Sequence, residues 1–137
     1  MFGWVKTSDK VKPVDIETLR RFNLLGRLNE KQLILLESRH EVKAFQRNTV
    51  IFEAGSSDNI EYFLLDGEVE LTAKDGKSFA VKANTPAAQH AIAHLQPRQY
   101  QVKTKAKSQL ILIDWSVLAQ LVRQAPKTDP GINEEAV

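Results

Sequence analysis

Arg98 is the residue whose type and placing ask most for a chemical partner. It follows Pro97 and heads a segment, residues 98–107, in which Tyr100, Val102, Thr104 and Ala106 alternate with Gln99, Gln101, Lys103, Lys105 and Lys107. Successive side chains of a β-strand point to opposite faces, so one set is solvated and the other faces a core. Arg98 shares parity with Tyr100 and Val102 and begins the inward set. A guanidinium taken out of water unpaired is costly, and its rigid fork of donors suits a phosphate, a carboxylate or water at a barrel mouth. Within the chain, acidic residues such as Glu53 and Glu68 are candidates to pair with it; otherwise the partner is an anionic ligand. The residues alone favour neither.

The other polar side chains offer less. His90 and His94 are four positions apart and share one face if their segment is helical. Zinc needs three or four protein ligands, and no third His or acidic neighbour completes a set there, so no metal is expected. Lys103, Lys105 and Lys107 form a basic stripe open to an anionic partner, or simply the wet face of a strand. A metal-dependent β-roll enzyme needs His and Glu clustered on strands, whereas two of the three histidines, His90 and His94 (not His40), lie in an alanine-rich insert. No Gly-x-Ser-x-Gly elbow, Gly-rich phosphate loop or His-Glu-x-x-His motif is present, so catalysis is not expected.

Composition narrows the class further. The absence of cysteine excludes disulfides, thiolate catalysis and Cys-based zinc sites, and fits a cytoplasmic location. A net charge of +2 is too small to argue for nucleic acid. No apolar run approaches the ~18 residues of a membrane span, and the N-terminus lacks the apolar core of a secretory signal. With 42% apolar and 26% charged residues, the 137-residue chain reads as one water-facing domain with a real core.

The elements that must position Arg98 are legible in outline. Residues 1–13, lysine-rich with isolated Phe2, Trp4 and Val5, read as a flexible arm; residues 14–125 read as the domain; residues 126–137 read as a tail or linker. Asp15 caps a short helix with Ile16, Leu19, Phe22 and Leu24 on its buried side, and Gly26 breaks it. Asn29 caps a second helix over residues 30–38 with Leu33, Ile34 and Leu36 inward. Strands are predicted over 41–45, 49–52, 62–65, 68–73, 78–82, 98–106 and 109–114, with Asn48 suited to a left-handed turn. Asp66-Gly67 and Asp75-Gly76 both read as two-residue hairpin turns, whose central positions need φ > 0. Residues 83–96 form the alanine-rich insert, and a last helix runs from Ser116 to Gln124 before Pro126.

This order of elements resembles the cyclic nucleotide-binding domain. The residues carrying the resemblance are Thr49-Val50-Ile51-Phe52-Glu53-Ala54-Gly55, Tyr62-Phe63-Leu64-Leu65-Asp66-Gly67-Glu68-Val69-Glu70-Leu71, and Pro97-Arg98 followed by Leu110-Ile111-Leu112-Ile113-Asp114. It implies a mainly β fold, a double-stranded β-helix or jelly-roll-like β-roll of eight strands, with two short N-terminal helices and a C-terminal helix. It implies a regulatory or sensory role and a ligand held at a phosphate-binding cassette: cyclic AMP, cyclic GMP, cyclic di-GMP or another anionic small molecule. The positions this assigns to the ligand are Ala88, Gln89, Ala91, Arg98, Gln99 and Tyr100.

The cassette departs from the family pattern at the sugar. Where the family has Gly and Glu, this chain has Ala88 and Gln89; Ala91 and Arg98 keep the family's Ala and Arg; Tyr100 stands where a small residue is favoured. Losing a charged acceptor for a ribose hydroxyl costs roughly 1.5–3 kcal/mol, about one to two decades of affinity. The resemblance implies that ligand shifts the closing helix, with Leu118, Leu121 and Val122 meeting the roll or a second subunit in a homodimer. A protein partner or a fused output domain would receive the signal. Only a short polar tail follows Gln124, so no DNA-binding helix-turn-helix is expected within the chain. The competing reading is a scaffold for protein contacts that has lost nucleotide binding.

Overall fold

The computed structural model describes residues 8–124. Strand β1 (Ser8–Val11) leads into helix α1 (Ile16–Leu19), a 3-10 turn at Leu25–Arg27 and helix α2 (Glu30–Glu37). Strands β2 (His40–Phe45), β3 (Val50–Phe52), β4 (Ile60–Asp66), β5 (Glu68–Ala73) and β6 (Ser78–Lys82) follow. The insert carries a 3-10 turn at Pro86–Gln89, and β7 (Tyr100–Thr104), β8 (Ser108–Asp114) and helix α3 (Trp115–Gln124) complete the chain. Two antiparallel four-stranded sheets result, in the orders β1-β2-β8-β4 and β3-β7-β5-β6. This is the mainly β roll with flanking helices that the sequence implied.

The helices begin where their caps dictate. The Asp15 carboxylate accepts from the Thr18 N–H at 3.0 Å, and Asn29 and Gln32 form a reciprocal capping box. Gln32 also donates from Nε2 to the Leu121 carbonyl at 3.1 Å, tying α2 to the last turn of α3. Part of the supposed arm is built into the sheet. β1 pairs with β2 in the register Ser8↔Phe45 to Val11↔Val42. His40 reinforces that corner, accepting from the Val14 N–H at 3.1 Å on Nε2 and donating from Nδ1 to the Leu36 carbonyl at 3.0 Å. Phe2, Trp4 and Val5 lie outside the described residues.

The sheet β1-β2-β8-β4 is buried on both faces at its centre. Phe63, Ile111 and Ile113 pack with Leu19, Phe22, Leu33, Leu36, Leu118 and Leu121 in a helical layer. Tyr62, Leu64 and Leu110 point the other way, into the roll, with Phe52, Val69, Leu71, Val81 and Val102. Two-sided burial explains why β4 and β8 read as continuous apolar runs. It also spends the closing helix: Leu118 and Leu121 are buried in the helical layer and Val122 packs against it. The face suggested for a homodimer is therefore occupied within the chain, because α3 needs it to cover β8.

The two Asp-Gly pairs do different work. Asp75-Gly76 is a hairpin tip between β5 and β6, but only Gly76 has positive φ (91°), and the loop closes through the Ala73 N–H to the Lys77 carbonyl at 2.8 Å. Asp66-Gly67 is not a hairpin. It carries the chain from one sheet to the other, since β4 pairs with β8 while β5 pairs with β6 and β7. Gly67 has φ of 96°, and a Cβ there would lie 2.7 Å from the Lys107 carbonyl oxygen, so a corner this tight excludes any side chain. Asn48 takes the left-handed conformation expected of it (φ 65°).

Candidate functional site

Arg98 lies just ahead of β7 rather than within it. Its backbone pairs with the loop before β4: the Arg98 N–H donates to the Ser56 carbonyl at 2.8 Å and the Gly55 N–H to the Arg98 carbonyl at 2.7 Å. That pairing turns the side chain inward, as the strand parity predicted, and the residue is 1% exposed. Three of the guanidinium's five N–H donors are engaged. Nη2 meets the Asp58 carboxylate at 2.5 Å and the Ile60 carbonyl at 2.6 Å, and Nη1 donates to the Ala93 carbonyl at 2.9 Å. The Phe52 ring lies beneath it, 4.2 Å from centroid to guanidinium carbon, with the Tyr62 ring at 5.4 Å. Nε is buried without a hydrogen-bond partner.

The internal partner is thus Asp58, neither Glu53 nor Glu68. Asp58 is itself fixed by its Oδ1, which accepts from the Ile60 N–H at 3.0 Å in a tight loop turn. One guanidinium thereby joins the β3–β4 loop, the edge strand β4 and the insert. The Ile92 N–H donates to the Tyr62 carbonyl at 2.8 Å, so the insert also pairs with the open edge of β4. Burial raises the Tyr62 phenol above its usual range, keeping the ring neutral against Arg98.

The other expected ligand positions are dispersed around this centre. Ala88 is buried in the roll core, whereas Ala91 packs against the helical layer. Gln89 is exposed, and its carbonyl accepts from the Asn23 N–H at 2.9 Å. Ala88 and Gln89 line a cavity of about 310 Å³ with Arg21, Phe22, Leu64, Asn84 and Thr85, and Arg98 is not on its wall. Gln99 is exposed and donates to the Pro97 carbonyl at 3.1 Å. Tyr100 is half-buried, but its ring stands edge-on to Phe79 at 5.5 Å rather than over the guanidinium. The insert is not helical from His90 to His94, so these residues do not share a helix face; His90 reaches Asn23, and His94 lines a cleft of its own.

Several polar features of the site were absent from the sequence reading. Phe52 and Tyr62 are the aromatic neighbours of Arg98, and Asp58 is its counter-ion. Glu61 is 5% exposed on the helical face of β4. Burial pushes its carboxyl from the usual 4.5 up to about 7; the Arg98 guanidinium opposes the rise, and the Asp58 carboxylate adds a smaller push upward. An acid opening an otherwise apolar strand was the available signal for Glu61.

The family model described as cyclic nucleotide-binding domain matches residues 42–125. No curated protein matches the chain. Among solved structures, a cyclic nucleotide-binding domain from Methylobacillus flagellatus is similar at TM-score 0.67 and 15% identity, over 88% of this chain and 74% of that one. The sensor domain of the transcriptional regulator DNR from Pseudomonas aeruginosa is similar at TM-score 0.68 and 14% identity, over 81% of this chain and 82% of that one. A regulatory subunit of a cAMP-independent protein kinase A from Trypanosoma cruzi, bound to guanosine, is similar at TM-score 0.66 and 18% identity, over 78% of this chain and 38% of that one. At these identities the likeness is one of fold.

Proposed function

The chain belongs to the cyclic nucleotide-binding domain family, and on that premise we propose that it is a regulatory domain whose phosphate seat is filled from within. The Asp58 carboxylate takes the place at Arg98 that a cyclic phosphate would need, and the domain works through protein contacts rather than by holding a cyclic nucleotide there. The observation carrying this reading is the Arg98 side chain, 0% exposed and paired with Asp58 at 2.5 Å. A phosphate at Nη2 must displace Asp58 and the Ile60 carbonyl, and the two N–H donors left over, on Nε and Nη1, belong to a side chain with no exposed surface. The exchange trades one charge-assisted partner of Arg98 for another, so the roughly 1.5–3 kcal/mol that an open seat would give a phosphate is cancelled, about one to two decades of affinity. Gln89 and Ala88 add nothing to offset it, because they line a different cavity. A cysteine-free sequence is in keeping with a cytoplasmic location, and the family match supports a regulatory rather than an enzymatic role.

Titration calorimetry with cyclic AMP, cyclic GMP and cyclic di-GMP tests this. Wild type is expected to give no saturable heat at micromolar to submillimolar ligand. The Asp58→Ala variant, which frees the guanidinium, is expected to bind at least one of the three measurably better. One-to-one micromolar binding by wild type, abolished by Arg98→Ala, would overturn the proposal.

A further inference from the structure

A second cleft, of about 230 Å³, opens where the loop before β4, the end of the insert and the start of α3 meet. Asp58, Glu61, His94, Leu95 and Trp115 line it. Leu95 and Trp115 are 55% and 45% exposed, large apolar groups left facing water. Glu61 is 95% buried by the same measure (5% exposed), yet among the described residues its carboxylate accepts no hydrogen bond and forms no ion pair. Arg98 Nε is the one enclosed polar side-chain atom without a partner among the described residues, so the Glu61 oxygens open onto the cleft: an acceptor with no protein donor at the floor of an apolar-walled cleft. Asp58 brings a second carboxylate, 30% exposed, of which only Oδ1 is engaged by Arg98 and the Ile60 N–H.

We propose that this cleft binds a primary ammonium group carried on an apolar body, with Glu61 receiving the ammonium and Trp115 and Leu95 covering the body. The Glu61 carboxylate supplies the net negative charge, since Asp58 is already paired with Arg98 and offers only its second oxygen, and an indole face attracts a cation as well as an apolar surface. The volume suits a single ring or a lysine side chain and is too small for a nucleotide. The charged or titratable groups facing Glu61 are Asp58 from the loop, Arg98 from the segment before β7 and His94 from the insert. A cation that binds the carboxylate form binds more tightly once the acid has lost its proton, above about pH 7. The cleft adjoins the Arg98 seat and shares Asp58 with it, but Arg98 is not on its lining and the ammonium is received at Glu61.

Phenethylammonium and N-acetyl-lysine N-methylamide, titrated into the isotope-labelled full chain at pH 8 and followed by amide and indole NMR, provide the test. The uncharged match is 2-phenylethanol. Saturable shifts of the Trp115 indole N–H and of residues 58–61 and 94–96 are expected with the amines, with binding about tenfold or more weaker for the alcohol. Glu61→Gln should lose about tenfold for the amines while leaving the alcohol unchanged. Trp115→Ala, which keeps the acid, should weaken phenethylammonium more than the lysine derivative. Preference for phenethylammonium assigns a free amine, preference for the lysine derivative assigns a protein side chain, and either supports the site. Absence of saturable shifts up to about 10 mM amine, or equal affinity for the alcohol, overturns it.

Discussion

Arg98 and Glu61 have Asp58 as a common neighbour, yet the fold treats their charges in opposite ways. Around the arginine, one carboxylate, two carbonyls and two aromatic rings converge, and no part of the side chain meets water. Around the glutamate there are largely apolar walls and an open mouth, and no described residue donates a hydrogen bond to its carboxylate. The first arrangement holds three segments of backbone together and leaves little for a ligand to contact. The second leaves an ionisable group poorly solvated and reachable. A family resemblance draws attention to the first, whereas the physics of burial points to the second as the place with capacity to bind.

Three substitutions press on that contrast. Arg98→Ala should have the largest effect, lowering unfolding free energy by about 3–5 kcal/mol in urea titrations, because Asp58 and the carbonyls of Ile60 and Ala93 lose their donor together. A loss under about 1 kcal/mol would mean the guanidinium is not a structural tie.

Glu61 should reveal itself through pH. The folded protein keeps its proton up to about 7, whereas the unfolded chain releases it near 4.5. The folded state binds more protons between those values, so this stabilising contribution is complete below about pH 4.5 and lost as pH rises through about 7. Asp58, Arg98 and His94 face it and are common to wild type and Glu61→Gln, so the difference between the two reports the Glu61 carboxyl in those surroundings. Wild type should therefore lose stability relative to that variant between pH 5 and pH 8 in denaturant midpoints; parallel curves would show that Glu61 is well solvated. Gln89→Ala should have the smallest effect, within about 0.5 kcal/mol and without change in either cleft, since the side chain is exposed. A larger shift would return weight to the inherited sugar position.

The inwardness of Arg98, the helix caps and most strands were readable because each follows from a local rule of spacing or turn chemistry. The identity of the counter-ion was not. Asp58 sits in an irregular loop where no period assigns a facing direction, and the contact spans forty positions of sequence. Phe52 and Tyr62 stayed hidden for a related reason: on β4 both faces are apolar, so alternation does not say which aromatic enters the roll. Asp66-Gly67 misled because the dipeptide reports positive φ at the glycine, which a hairpin and a crossing between sheets both require.

Pairing of β1 with β2 has a practical side for anyone trimming the gene. A fragment limited to residues 42–125, the span the family model matches, would discard the neighbour that screens the β2 edge and, with α1 and α2, part of the helical layer that covers Phe63, Ile111 and Ile113. Such a fragment would present a bare ladder of amide and carbonyl groups beside a greasy plane, an invitation to self-assembly into insoluble material.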